Sequence, residues 1–250
     1  RQSAQQIARK LGVSKDVVQY RIKRLEKEAI IAGYYTMIDF ATLGYTMIRV
    51  YIKLQGDDKA VKGKMLQDLI AIPETFLVYS VDFSWDIAFG IVTKSFREFD
   101  DKWEGFKGKY RRYIESTRIS FIFDLVHYSR KYLSAAKPLE MKALSTGVGK
   151  LQNLDAADLK LLKLTAKNAR VPVVELAGRL GMTPSAVIYR LKRLEKGGVI
   201  LAYKAIIDFS RLGYEYYKVD VELEDLNVKN KMSGFLRLHP NVTYEDRTIG

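Results

Sequence analysis

The sequence predicts an α+β protein that contains one module twice. Each copy is expected to be a small helical domain followed by a layered domain of strands and helices. Residues 8–54 align with residues 177–223 without a gap, at an offset of 169. The front of each copy shows apolar residues at helical spacing, whereas the remainder alternates between strand-like and helix-like segments. The offset far exceeds the roughly 20 to 50 residues of a solenoid repeat, so each copy should be a multi-element module with its own core.

The composition excludes several classes of protein. The 250 residues include no cysteine, which excludes disulfides, thiol nucleophiles and cysteine-ligated metals. Only His127 and His239 remain for proton chemistry near neutral pH. No apolar run approaches the roughly 18 residues of a membrane span, and the first residues are too polar for a secretory signal. We therefore expect a cytoplasmic protein without a membrane partner, and the start at Arg1 leads us to expect that both ends are cut.

The net charge of +13 is concentrated at the start of each copy. Residues 1–36 hold 8 basic and 3 acidic side chains, and residues 154–204 hold 10 and 4. These two segments thus carry +5 and +6, which leaves +2 for the other 163 residues. Charge that serves only solubility would be spread more evenly, so this segregation indicates a polyanionic partner at both places.

The second copy begins with a pattern typical of three helices. Asp155 is a suitable N-cap for the first helix, Gly181 can adopt the left-handed conformation after the second, and Thr183 can cap the third. Two helices joined by a tight turn that contains glycine form a helix-turn-helix unit. In the first copy, Arg1 already lies at the start of the second helix, so the first helix is missing there. We expect helices over about 156–167, 173–180 and 185–196.

The third helix of each unit has one apolar face and one polar, basic face. Val187, Leu191 and Leu194 form a stripe that must face the other helices. The opposite face fits the major groove of DNA, which admits one helix and displays base-edge donors and acceptors. An ordinary solvated face is the alternative, but two copies that both carry a charge excess favour DNA. Lysine and arginine would anchor phosphates, and the remaining side chains would contact bases or the sugar–phosphate backbone. The expected DNA-binding residues are Ser14, Lys15, Asp16, Gln19, Tyr20, Lys23, Arg24, Thr183, Pro184, Ser185, Ile188, Tyr189, Lys192 and Arg193.

An extended segment follows each third helix and should form a wing or a bridge, in which Tyr34 and Tyr203 are expected to pack rather than stack on DNA. The rest of the first copy has the order βαββαβ, which is typical of a ferredoxin-like sandwich. In the second copy this order stops after one helix and two strands, so the second sandwich is incomplete. For the first sandwich we expect strands 46–54, 75–81, 86–92 and 116–125 and helices near 58–71 and 95–110, and for the second, strand 216–224, helix 227–237 and strand 242–248.

These elements divide the chain into five expected parts. They are a partial winged helix-turn-helix domain (1–40), a ferredoxin-like ligand-sensing and dimerisation domain (41–133), a linker (134–153), a complete winged helix-turn-helix domain (154–209) and a truncated ferredoxin-like domain (210–250).

From Leu154 to Gly213 the sequence resembles the Lrp/AsnC (feast/famine) family of transcription regulators. The resemblance rests on the pattern LD-x-x-D, then NAR, LA-x-x-LG, V-x-x-R and LE, followed by Y-x-x-x-I and a final LG. It implies a sequence-specific regulator that binds double-stranded DNA and is controlled by an amino-acid or other small-molecule effector. It also implies either a homo-oligomer or, because the copies are in tandem, an intrachain pseudo-dimer, and a prokaryotic, nucleoid-associated location. The sequence shows no cofactor or metal motif, so we expect neither a cofactor nor a metal.

Two departures from the family pattern concern function. The family has a Gly-x-x-Asp loop near its effector pocket, but Phe83 stands in the glycine position here while Asp86 is retained. The second copy reads Thr248-Ile249-Gly250 and ends at this glycine. Phe83, Asp86 and Gly250 are the candidate effector-loop residues. The two third helices also differ at three outward positions, so the two heads should prefer different half-sites.

Two alternatives remain. A DNA-architectural protein without an effector would fit the basic heads and the altered loop. A siroheme decarboxylase is similar in having paired modules of this type, and it would use histidine and arginine around a tetrapyrrole. The loop at 79–88 carries neither residue type, and His127 is expected to be a polar residue at a strand end. We therefore expect a regulator that is not an enzyme.

Overall fold

The computed structural model describes residues 2–133 and 143–249, and the chain forms two compact units. Unit 1 comprises Arg1–Ile38 and Asn153–Leu226, and unit 2 comprises Asp39–Gln152 and Asn227–Gly250. Each unit therefore takes elements from both copies of the repeat. Within the described ranges, the helices lack the combination of length and apolar character that a bilayer crossing requires.

Unit 1 contains two helix-turn-helix segments and their wings. Its elements are α1 (Ala4–Leu11), α2 (Lys15–Lys27), β1 (Ile31–Ile38), α5 (Ala156–Ala166), α6 (Val173–Leu180), α7 (Pro184–Lys196) and β7 (Ile200–Ile207). The bounds of α1, α2 and β1 recur in α6, α7 and β7 at the same offset of 169. The three helices expected in the second copy are confirmed, and the internal repeat in the sequence is also a repeat of structure.

Helix α5 belongs to the second copy, and its start is set by a pair of aspartates. The carboxylate of Asp155 accepts a hydrogen bond from the backbone N–H of Asp158 at 2.8 Å, and Asp158 accepts in return from the N–H of Asp155 at 3.3 Å. This reciprocal capping satisfies two N–H groups that the helix itself leaves unpaired. Leu161 and Leu162 then bury one side of the helix.

Unit 2 is built on a sheet of six strands. Its elements are β2 (Thr46–Leu54), α3 (Lys59–Ala71), β3 (Thr75–Ser80), β4 (Ile87–Thr93), α4 (Phe96–Tyr110), β5 (Ile114–His127), β6 (Leu144–Thr146), α8 (Lys229–Leu238) and β8 (Tyr244–Ile249). The strand order β3-β4-β2-β5, all antiparallel, is that of the expected ferredoxin-like sandwich. The main core packs alternate residues of β2, such as Ile48 and Val50, against Met65 and Leu69 of α3 and Trp103 of α4.

Strand β8 comes from the second copy but pairs with β5 of the first copy. Its bounds reproduce those of β3 at the offset of 169. The expected strand 216–224 is wrong, because these residues lie in neither a helix nor a strand. The alternating side chains Val219 and Val221 stay 78% and 58% exposed, with no described strand beside them to satisfy their backbone groups.

The expected linker at 134–153 is wrong in part. Residues 134–142 lie outside the described part of the chain, but Leu144–Thr146 form β6 and pair with the end of β5. Beyond β6, the buried carboxylate of Asp39 accepts hydrogen bonds from the N–H groups of Gly147 at 2.7 Å and Gly149 at 2.9 Å. This segment is therefore part of unit 2 rather than a free tether.

Candidate nucleic-acid interface

The turn between the two helices of each helix-turn-helix segment is built in the same way. Gly12 and Gly181 both have φ of 65° and end the first helix of the pair in the left-handed conformation. The hydroxyl oxygens of Ser14 and Thr183 then accept a hydrogen bond of 3.2 Å from the backbone N–H three residues later. These caps fix the start of α2 and α7, which we call the two recognition helices.

The inner face of each recognition helix carries the expected apolar stripe. In α7, Val187, Leu191 and Leu194 are all buried. In α2 the equivalent Val18 is buried, whereas Ile22 and Leu25 are half-buried. This difference arises because the described part of the first copy has no helix equivalent to α5. In both helices the stripe faces inward, which leaves the opposite face outward.

Every residue expected to contact DNA is exposed. This set consists of Ser14, Lys15, Asp16, Gln19, Tyr20, Lys23, Arg24, Thr183, Pro184, Ser185, Ile188, Tyr189, Lys192 and Arg193. The two tyrosines, Tyr20 and Tyr189, are 67% and 68% exposed. Ser14 and Thr183 use an acceptor lone pair in capping, which leaves each O–H able to donate to a phosphate.

Two of the expected phosphate anchors already have acidic partners. Arg24 lies 3.4 Å from Glu28 of the same segment. Arg193 contacts the carboxylate of Asp158, which is fully buried, and Arg190 lies 2.8 Å from that carboxylate and 2.7 Å from Asp155. The hydrogen bond from the Asp158 N–H and then that from Arg190 lower the pKa of Asp155. Arg190 and Arg193 thus hold α7 against α5, a role that the sequence analysis missed, although LD-x-x-D and Y-R-x-x-R were both visible.

Strands β1 and β7 pair with each other, so the wings of the two copies form one antiparallel ribbon. Tyr34 lies opposite Ala205, and Thr36 lies opposite Tyr203. Since 203 and 205 are 34 and 36 plus the offset of 169, each copy contributes the same positions to the ribbon. The register is centred on Tyr35 and Lys204, which occupy equivalent positions. This is the self-complementary pairing of a two-fold dimer, made here within one chain.

Further contacts join the copies beside this ribbon. The buried hydroxyl of Thr36 donates to the carbonyl oxygen of Thr165 in α5 at 2.8 Å. The N–H of Ala169 donates to the carbonyl of Tyr34 at 3.0 Å. The Tyr34 ring lies under the guanidinium of Arg170 from the second copy and so packs at the bridge between the copies, as expected. Helix α5 of the second copy covers β1 of the first.

The candidate effector loop of unit 2 has an unusual backbone. Phe83 adopts φ of 79°, a conformation that favours glycine, and its side chain is 88% exposed. Asp86 accepts a hydrogen bond from the N–H of Leu54 at 2.9 Å and lies 3.3 Å from the amine of Lys53. The loop thus holds Phe83 in a backbone conformation that favours glycine and presents its aromatic ring to solvent. Gly250 lies outside the described residues.

A buried charged group in unit 2 was also missed by the sequence analysis. Arg49, at the centre of β2, is 3% exposed and lies 3.1 Å from Asp246 of β8. It donates to the hydroxyl of Tyr79 at 2.8 Å, while its buried Nε has no hydrogen-bond partner in the described chain. The visible signal was a single cation inside the apolar strand TMIRVYIKL. This pair binds the second copy's strand to the first copy's sheet.

The comparisons with known proteins agree with this geometry. The sequence profile of the winged helix-turn-helix DNA-binding family matches residues 1–31 and 154–200. An uncharacterised HTH-type transcriptional regulator of Pyrococcus furiosus is 40% identical over 74 residues, which are 30% of this chain and 47% of that protein. The regulatory protein AsnC of Haemophilus influenzae is 35% identical over 65 residues, 26% of this chain and 43% of AsnC. Each alignment thus spans less than half of the relative.

One solved structure is similar over much of the chain. The siroheme decarboxylase NirDL, solved with an iron-uroporphyrin III analogue, superposes with a TM-score of 0.54 and 16% identity. The match covers 81% of this chain and 59% of that one. At this identity the likeness concerns the fold alone. The resemblance read from the motifs is confirmed by the matched regulators: the chain carries two segments that match the winged helix-turn-helix DNA-binding profile, and it is similar to regulators of the Lrp/AsnC type.

Proposed function

We propose that the protein is a sequence-specific transcription regulator that binds double-stranded DNA with both recognition helices of unit 1. The observation that supports this most directly is that all fourteen residues expected at the interface are exposed, whereas the apolar stripe is buried in α7 and partly buried in α2. A helix with this division of faces, placed second in a helix-turn-helix, can enter the major groove. Lys23 and Lys192 would anchor phosphates, and the first turns of the helices would approach base edges.

The rest of the expected organisation belongs to the same proposal. Apart from the linker, part of which belongs to unit 2, the expected division describes the order of the functional parts. Residues 41–133 would sense an amino-acid or similar effector near Phe83 and Asp86. The ribbon of β1 and β7 supports an intrachain pseudo-dimer, and higher homo-oligomers would form through the ferredoxin-like parts. Such a protein would act in the cytoplasm, associated with the nucleoid.

Charge reversal on the recognition helices tests DNA binding. Purified full chain is titrated into random-sequence duplex at low ionic strength, and bound duplexes are recovered for sequencing. Lys23→Glu with Lys192→Glu should abolish the complex, because each reversal replaces a phosphate attraction by a repulsion. The matched control is Lys59→Glu with Lys64→Glu on α3, which changes the net charge equally but should retain binding. Equal loss in both variants would contradict the proposal.

A second candidate is a tetrapyrrole enzyme, favoured by the fold likeness to NirDL. We favour a protein that is not an enzyme, because both histidines have structural positions. His239 accepts a hydrogen bond from the N–H of Asn241 beside the end of α8. His127 lies in β5, where this strand pairs with β6 and β8. The absorption spectrum of an added iron-uroporphyrin should therefore be the same in the presence of the protein as in buffer. A shifted Soret band, lost on Arg49→Ala, would support the enzyme instead.

A further inference from the structure

The two recognition helices share one set of exposed residues and differ in another. Of the six pairs of expected DNA-contacting residues within the two helices, three are identical and three are not. The identical pairs are Tyr20 and Tyr189, Lys23 and Lys192, and Arg24 and Arg193. The differing pairs are Lys15 and Pro184, Asp16 and Ser185, and Gln19 and Ile188. We call the first set the anchors and the second set the readers.

The anchors and the readers occupy different parts of each helix. The readers lie in the first five residues after the N-cap, at the end of the helix that contacts base edges in a helix-turn-helix complex. The anchors follow along the same exposed face and carry phenol or cationic groups suited to phosphates. Within the described chain, Asp16, Gln19 and Ser185 make no side-chain hydrogen bond or ion pair of their own, so their polar groups remain available to a partner.

The ribbon of β1 and β7 relates the two helices by an approximate two-fold axis. Three residues separate α2 from β1, and three separate α7 from β7. With equal and short connections, the self-complementary register of the strands fixes the two heads in equivalent poses. The anchors are the same residue types in both heads, whereas the readers differ between the heads.

We propose that the chain recognises an asymmetric operator, in which two half-sites of different base sequence face each other in a two-fold arrangement of phosphates. This inference rests on the proposed function. The first head should prefer adenine through Gln19 and cytosine through Asp16, because a glutamine amide pairs with adenine N6 and N7 and a carboxylate accepts from cytosine N4. The second head should prefer thymine through contact of the Ile188 side chain with its methyl group.

One consequence concerns palindromes. A duplex with two copies of the same half-site satisfies the readers of one head only. Each wrong base pair costs a factor of roughly 5 to 150 in affinity, so either palindrome should bind at least about 5-fold more weakly than the asymmetric operator. A homodimer of identical heads would show the opposite order.

The test is a selection of bound duplexes from a random pool with three full-length proteins. They are the wild type, Asp16→Ser with Gln19→Ile, and Ser185→Asp with Ile188→Gln. The wild type should enrich a two-part motif that is not palindromic. The first variant carries serine and isoleucine at the Asp16 and Gln19 positions of both heads, as in the second head, and should enrich a palindrome of the half-site of that head. The other variant carries aspartate and glutamine in both heads and should enrich a palindrome of the remaining half-site.

The outcomes separate this inference from the proposed function. All substituted side chains are exposed, so the variants should retain the wild-type melting temperature, measured by circular dichroism. A palindromic motif for the wild type, or the same motif for all three proteins, would overturn the asymmetric operator while leaving DNA binding intact. Enrichment of no sequence by any of the three folded proteins would overturn the proposed function, and this inference with it.

Discussion

The guanidinium carbon of Arg170, in the second copy, lies 3.9 Å from the centre of the Tyr34 ring, in the first copy. Tyr34 donates its hydroxyl to Glu26 at 2.6 Å, and the same guanidinium lies 3.4 Å from that carboxylate. Glu26 is in the last turn of α2. A residue of one copy thus holds the end of the other copy's recognition helix through a cation–π contact and an ion pair.

Removal of this contact should destabilise unit 1. Arg170→Ala removes a cation–π contact and a partly exposed ion pair, each worth about 0.5 to 1 kcal/mol at such sites. We expect the free energy of unfolding to fall by about 1 kcal/mol in urea denaturation. Arg179→Ala is the matched control, since Arg179 forms an ion pair with Glu175 on the surface of α6 and with no other acidic residue in the described ranges. A loss no greater than that of the control would show that the contact does not stabilise the fold.

The Tyr34 hydroxyl predicts an alkaline limit to stability. Burial, and then the hydrogen bond to Glu26, raises the pKa of Tyr34 from 10.0 to about 12. The folded protein therefore favours the neutral phenol, and the contribution is complete below about pH 10 and lost as the pH rises through about 12. Between about pH 9 and about pH 11.5, Tyr34→Phe should lose less unfolding free energy than the wild type. Tyr20→Phe, which removes an exposed hydroxyl, should keep the wild-type dependence.

Local signals in the sequence predicted the helices and most strands because each element depends on its own periodicity and caps. Asp155, Gly181 and Thr183 all act where the sequence placed them. The exposed faces of α2 and α7 were predictable for the same reason. The contacts between the copies could not be predicted. The pairing of β1 with β7, or of Arg170 with Tyr34, joins two distant segments, and the pattern within one segment does not indicate which other segment it contacts.

The failed strand at 216–224 shows the same limit. Its alternation of apolar residues is a property of nine residues, but a strand also needs a neighbour to accept its hydrogen bonds. The buried Arg49 illustrates the converse case. A cation inside an apolar strand gives no indication that the balancing carboxylate is Asp246, which lies far along the chain in the other copy.

The buried contact of Thr36 with α5 should be strongly stabilising. Thr36→Val keeps the shape of the side chain but leaves the Thr165 carbonyl oxygen without its donor. An unsatisfied buried acceptor costs about 1 to 3 kcal/mol, which should appear as a lower urea midpoint with an unchanged m-value. Thr36→Ser, which retains the hydroxyl, should lose less. The exposed Thr46→Val provides a second control and should change stability by less than about 0.5 kcal/mol.

Asp158 should control the packing of α7 on α5. Its fully buried carboxylate contacts Arg190 and Arg193, and Asp158→Asn keeps its size while removing the charge. Hydrogen bonds to charged groups contribute about 1.5 to 3 kcal/mol, so we expect a loss of about 2 kcal/mol in unfolding free energy. Asp16→Asn, on the exposed face of α2, is the control with a negligible loss. Equal stability of both variants would show that the ion pairs of Asp158 with Arg190 and Arg193 do not contribute to the free energy of unfolding.

Salt dependence distinguishes phosphate anchors from residues that only stabilise the fold. Lys23 and Lys192 are exposed at equivalent positions, and neither has an acidic partner in the described chain. Each phosphate contact contributes about 0.9 to the slope of log affinity against log salt concentration. Lys23→Ala and Lys192→Ala should therefore each reduce the slope by about one unit, and the double variant by about two, because the two heads contact separate phosphates. Lys59→Ala on α3 should leave the slope unchanged. Weaker binding with an unaltered slope would mean that these lysines act through the structure of the helices rather than on the DNA backbone.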